Sequence, residues 1–271
     1  MLLFLFCAIL SPLYSILLLF MLLLSTSSLH GYGLHKIFSF AREAHYDGIC
    51  LDLNPLDFDT ENAPYVATLS KEFDIPVVSI TAYERRITTK MVDKIIEMAK
   101  LLESKTINFY PPHRLDKDGE WFSEYLPKVQ QRHKDLDITV MNIEPKTFLF
   151  LIPEYKDATL PLIKKITGKT SLHVSHVDPE SGTDLIKTFS LLGNSIHNVY
   201  LSDKTGNKEE LLPGKGDMPL ESLLIKLADG GYKGDFTLKV VSRELGAGDD
   251  AMVLKKLEEA KEYFLKHFAK K

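Results

Sequence analysis

Cysteine is nearly missing from this chain. Cys7 and Cys50 are the only two in 271 residues, and neither belongs to a Cys-x-x-Cys or Cys/His cluster. That excludes a disulfide framework and zinc-finger spacing, and it points to a reducing, cytoplasmic compartment. A basic surplus is missing too. Lys and Arg number 33 against 37 Asp and Glu, a net charge of -4, which argues against a dedicated nucleic-acid surface. No Gly-x-Gly-x-x-Gly follows the first strand-like run, which lowers the dinucleotide-binding alternative. No Gly-, Ser- or Pro-rich linker divides the chain, so one domain is expected.

The first 24 residues lack charge altogether, and no Lys or Arg precedes Lys36. A secretory signal would need a basic start and a small-residue cleavage site, so that reading is disfavoured. The apolar run is long enough to cross a bilayer. As an anchor, however, it would run into Leu22-Leu23-Leu24, the first expected strand. The remaining reading starts translation at Met21 and leaves residues 1–20 as an apolar extension outside a domain of residues 21–271. Both the anchor and the late start stay open.

What is present is alternation. With 45% hydrophobic and 26% charged residues the composition is that of an ordinary soluble protein. Short β-rich runs are expected at 22–25, 49–53, 76–82, 106–110, 138–144, 171–177, 197–202 and 236–241. Helical stripes lie between them, as in Lys90 to Glu103 with Met91, Ile95, Met98 and Leu102 on one face. Alternating strands and helices predict a parallel sheet covered by helices. Eight of each over about 250 residues fit a single closed (β/α)8 TIM barrel better than an open sheet.

The active site of such a barrel lies at the C-terminal ends of its strands. The candidates there are Cys50 and Asp52, Tyr83 and Glu84, His113 and Arg114, Asn142 and Glu144, His176 and Asp178, Tyr200 and Asp203, and Lys239. Strand alternation would put Asn142 with Glu144, and His176 with Asp178, on one face. Lys239 is the anomaly. A charge inside a buried strand needs a partner or a task.

Ser25-Thr26-Ser27-Ser28-Leu29, Tyr46-Asp47-Gly48-Ile49, Asn142-Ile143-Glu144, His176-Val177-Asp178-Pro179 and Pro213-Gly214-Lys215-Gly216-Asp217 occur in register. In these motifs the chain resembles the xylose-isomerase-like TIM barrels, the sugar phosphate isomerase/epimerase superfamily that includes endonuclease IV. The resemblance implies an isomerase or epimerase acting on a small polyhydroxylated carbohydrate, with a homodimer left open. It also implies one divalent metal (Mn, Mg or Zn) held by Glu, Asp, His and Glu from strands five to eight.

Carried over residue by residue, Glu144 and Asp178 match the first two ligands and would be catalytic as well. Tyr200 and Lys239 stand where the His and the last Glu are expected, Ser181 where a further His is expected, and Cys50 where a Glu is often found. Half the metal set is therefore missing, and the richer zinc set of endonuclease IV is absent, so DNA repair is not implied. His176, Tyr200, Asp203 and His113 are the expected substrate-binding residues. Lys239 is expected to neutralise Glu144 and Asp178 in place of the ion, or to serve as a Schiff-base amine. The alternative to an enzyme is a metal-independent sugar-binding barrel. For each of these residues a purely structural role stands beside the functional one.

Overall fold

The barrel strands are runs of buried residues but for Asp137, His197 and Asp235, because each strand is covered by side chains inside the barrel and by helices outside. The structure, a computed structural model, describes residues 20–116, 119–148, 151–177 and 184–268. The strands are β1 (Leu22–Ser25), β2 (Gly48–Asp52), β3 (Val77–Thr81), β4 (Thr106–Phe109), β5 (Asp137–Met141), β6 (Thr170–His173), β7 (Ile196–Leu201) and β8 (Asp235–Leu238). They close in sequence order, all parallel, with Leu22 beside Phe236 and Leu24 beside Leu238 at the seam. The expected TIM barrel is the fold of this chain.

The helices are α1 (Leu34–Glu43), α2 (Ala63–Phe73), α3 (Thr89–Leu101), α4 (Leu126–Arg132), α5 (Leu160–Thr167), α6 (Leu185–Leu192), α7 (Leu220–Asp229) and α8 (Asp250–Phe268). Their boundaries follow local chemistry. The Asn62 side chain accepts the Tyr65 amide at the start of α2, and Thr88 does the same for Met91 at α3. Gly168, with φ +66°, ends α5. The stripes face the sheet: Leu220, Leu223, Leu224 and Leu227 of α7 are all buried.

Inside the barrel the packing is partly polar. Leu23, Cys50, Val78, Met141 and Tyr200 form a small inner cluster separate from the large helix–sheet core. Around it, Asn108 Oδ1 accepts the hydroxyls of Thr139 and Ser171 at 2.8 and 2.6 Å. At the N-terminal end of the barrel, the Phe20 ring meets Phe236, Phe264 and Phe268 edge to face, with centroids 6.3, 5.8 and 4.7 Å away. Residues 1–19, which carry most of the apolar run, lie outside the described residues. Among the described residues no helix is long and apolar enough to cross a membrane.

Three strands stop three or more residues earlier than the pattern predicts, at Met141, His173 and Leu238 rather than at 144, 177 and 241. Asn142 explains two of these ends. Its amide donates to the His173 carbonyl at 2.9 Å and accepts the His173 N–H at 2.7 Å. A side chain thereby replaces the next rung of the ladder, and a 3-10 turn, Val174–His176, follows. Two hairpins stand on the same face: Thr147–Phe148 with Ile152–Pro153, and Asp203–Thr205 with Lys208–Leu211.

Candidate functional site

Lys239 is the first residue beyond β8, at the C-terminal mouth of the barrel. It is 6% exposed, and its Nζ lies 2.7 Å from Asp52 Oδ1. The other Asp52 oxygen accepts the Ser25 hydroxyl at 2.6 Å. Barrel closure makes this possible, since Ser25 ends β1 and Asp52 ends β2, one and two strands from β8. The expectation that Lys239 neutralises Glu144 is corrected: its carboxylate is Asp52, because β5 stands on the far side of the barrel. Asp178 lies outside the described residues, as does Ser181.

Burial works against the Lys239 ammonium, but Asp52, Tyr110 and Glu210 outweigh it and hold its pKa well above the usual lysine value. An amine kept protonated is not a Schiff-base nucleophile, so that expectation also falls. Lys239, Asp52, Ser27, Tyr83, Glu84 and Tyr110 line a cavity of about 620 Å³. Burial, opposed by Lys239, pushes the Tyr110 phenol up to about 12, so it stays a hydrogen-bond donor. Cys50 lies behind the cavity, its thiol pushed up to about 11, first by burial and then by the Asp52 charge. A thiol in that state is not a nucleophile.

A strap crosses the mouth beside this cavity. Tyr155, after the β5 hairpin, donates its hydroxyl to Glu84. Arg85 donates to Glu154 at 2.7 Å, and the backbones of Arg114 and Glu154, and of Lys156 and Pro112, are joined at 2.8 Å. His113 belongs to this strap. It is buried, its Nδ1 accepts the Leu115 amide at 3.2 Å, and its ring stands edge-on to Tyr155. Sequence reading placed it on substrate; the structure places it in a loop clamp.

Tyr200 is corrected likewise. It is fully buried inside the barrel, its hydroxyl 2.7 Å from that of Thr81. Asp203 is also internal. Its carboxylate accepts the amides of Lys204 and Met218 at 2.8 and 3.1 Å and of Gly214 at 3.0 Å, tying the Pro-Gly-Lys-Gly-Asp loop to the end of β7.

Glu144 lies on the far wall in a four-charge cluster. Lys204 Nζ is 2.6 Å from one oxygen and Lys146 Nζ 3.3 Å from the other, with Glu209 also 3.4 Å from Lys204. Burial opposes ionisation, but a hydrogen bond from Glu209 and the two ammonium groups hold the Glu144 carboxyl down to about 2. Burial and the neighbouring Glu144 carboxylate raise Glu209 in turn. A carboxylate held so low is a weak base.

His176 lines a second cavity of about 620 Å³ with Asn142, Glu144 and Tyr155. Its ring stacks on His173, centroids 3.6 Å apart and 7° from parallel, and His173 stacks on Tyr200 at 5.2 Å. Lys239 Nζ in turn lies 5.6 Å from the Tyr200 centroid. Burial keeps both imidazoles neutral, their pKa values well below the ordinary one. Glu210 faces this stack, 3.5 Å from His173 Nε2. His173, Glu210 and Tyr110 were not singled out in the sequence. The His-x-x-His spacing at 173 and 176 was a visible signal, hidden by the expectation that a strand ran on through 177.

The four-ligand metal set that the resemblance implies does not fit these residues. Glu144 is neutralised by lysines, Tyr200 is bonded to Thr81, and Lys239 places an ammonium where the last carboxylate would stand. A divalent ion there would meet a fixed positive charge.

No protein-family model matches the chain. An uncharacterised protein of Mycobacterium leprae is 22% identical over 275 residues, spanning 90% of this chain and 97% of its own length. Among solved structures, a xylose isomerase domain-containing protein from Salmonella typhimurium superposes with a TM-score of 0.70 at 16% identity, over 90% of this chain and 97% of the other. A D-allulose 3-epimerase from Methylomonas, solved with D-allulose, gives 0.68 at 13% identity, over 92% and 97%. The fold is that of the xylose-isomerase-like barrels, a group that includes sugar epimerases.

Proposed function

We propose that the chain acts on a small polyhydroxylated carbohydrate, shifting a proton on the carbon next to a carbonyl at the C-terminal mouth of the barrel. The observation that carries this reading is Lys239, a buried cation oriented by Asp52 in the wall of a sugar-sized cavity. A carbonyl oxygen bound to that ammonium would be stabilised as negative charge develops on it. Glu84, which lines the same cavity and accepts the Tyr155 hydroxyl, would take the proton, and the Tyr110 phenol would donate a hydrogen bond to a substrate oxygen. Returning the proton from Glu84 to the neighbouring carbon gives an isomer; a proton delivered to the opposite face by a second acid would give an epimer. A ketose epimerase of the same fold supports this substrate class, and a cytoplasmic location belongs to the same reading.

The test is solvent deuterium entering the carbon beside the carbonyl, followed by NMR over a panel of ketoses and aldoses. Incorporation that Lys239→Met and Glu84→Gln each abolish is the expected outcome. Sugar binding without exchange would overturn the proton-transfer role. It would favour the second reading, a binding barrel, which the satisfied Lys239–Asp52 pair also supports.

A further inference from the structure

His173, His176 and Glu210 converge at the mouth although they come from three different local structures. His173 ends β6, His176 ends the 3-10 turn after it, and Glu210 lies on the hairpin that follows β7. One donor atom from each lies within 4.8 Å of the other two. His176 Nδ1 lies 3.3 Å from the Asn142 carbonyl, which can only accept, so Nδ1 carries the proton and Nε2 has the free lone pair. His173 Nδ1 contacts the Ser175 hydroxyl at 3.3 Å, while its buried Nε2 makes no hydrogen bond among the described residues and faces only the Glu210 carboxylate, 3.5 Å away. A fully buried imidazole nitrogen left unsatisfied is costly, and it needs a reason.

We propose that His173 Nε2, His176 Nε2 and the Glu210 carboxylate bind one transition-metal ion of the zinc class, displaced from the four-ligand position that Lys239 blocks. Two imidazoles and one carboxylate are a borderline donor set of the kind zinc accepts, and three protein ligands leave a fourth position open. The outward N–H of His176 on a backbone carbonyl is the support such ligands usually have. Glu210 supplies the only formal charge among the three ligands. Donor atoms around a tetrahedral zinc stand about 3.3 Å apart, so the cluster contracts on binding. The stacked rings also turn out of parallel, because parallel lone pairs do not meet at one point. This inference goes beyond the proton-transfer reading and does not rest on it.

The experiment uses the full chain, stripped with chelator and titrated with Zn²⁺ by calorimetry and with Co²⁺ by visible absorption. One ion per chain with micromolar or tighter affinity is expected, with a four-coordinate Co²⁺ spectrum. His176→Gln and Glu210→Gln should each weaken binding at least tenfold, while Glu144→Gln leaves it unchanged. Circular dichroism confirms that the variants fold, and Glu210→Gln, partly exposed and isosteric, serves if His176→Gln does not. Absence of stoichiometric binding to the wild-type chain would overturn the proposal. So would binding that survives both ligand changes or depends on Glu144.

Discussion

Lys239 and Asp52 are separated by 187 positions in sequence and by 2.7 Å in space. The pair exists only because the barrel closes, and it joins the last strand to the second. Each partner is nearly buried, so removing one leaves the other charged without compensation. Lys239→Met is expected to cost about 3–5 kcal/mol, and Asp52→Asn in that background to recover much of the loss. Urea denaturation of the two single variants and the double variant measures this. A loss in the double variant equal to the sum of the single losses would show that the pair is not coupled.

Asp203 is expected to matter for stability and not for sugar affinity. Asp203→Asn removes acceptors for the loop amides and should cost about 3 kcal/mol. Gly216→Ala should be destabilising through the same loop, because a Cβ there presses on the Lys204 carbonyl and the Asp203 carboxylate. Thermal melts report both. A stable Asp203→Asn variant with weakened sugar binding would return Asp203 to the substrate.

The barrel was legible because its evidence is redundant. Repeated strand and helix patterns each report the same architecture, and an error of two residues at a strand end does not change the count. The site was less legible, because it depends on those ends. Reading strand five through Glu144 made Asn142 a barrel-face residue, whereas its side chain ends the ladder to His173. Reading strand six through Val177 put His176 in alternation with Asp178, whereas a 3-10 turn stacks it on His173. The partner of Lys239 was beyond any local pattern. Asp52 stood among the candidates, but only closure of the barrel shows that it adjoins the last strand.

Asp235, at the opposite end of the barrel, gives a pH-dependent prediction. Burial raises its carboxyl to about 6, against the pull of the Met21 amide that donates to it at 3.2 Å. In the unfolded chain the group titrates near 4. The folded protein therefore holds this proton more tightly, and stability falls as pH rises from about 4 to about 6. Asp235→Asn lacks that penalty. It should be more stable than the wild type by about 1–3 kcal/mol at pH 8, with the gap closing below about pH 4. Melting curves across this range check it; a constant difference would place the cause elsewhere.

Phe20 should contribute to folding despite preceding the first strand. Its edge-to-face contacts with three other phenylalanines predict a loss of about 1–3 kcal/mol for Phe20→Ala. A chain beginning at Met21 should show a similar deficit. Equal melting temperatures for Phe20→Ala and wild type would mean that the ring adds nothing to the barrel.

The hairpin after β7 carries two adjacent glutamates to different neighbours. Glu209 meets Lys204 and Lys146, while Glu210, with φ +52°, meets His173. Neighbouring residues on a ribbon project to opposite sides, and the pairing register here already slips between Asp203 and Thr205. Shortening the turn at Gly206-Asn207 by one residue would exchange the two faces, turning a histidine-facing carboxylate toward lysines without altering a single side chain. The arithmetic of a short loop thus sets which charges this barrel shows at its mouth, and loop length becomes a means of retuning the mouth while the barrel beneath stays fixed.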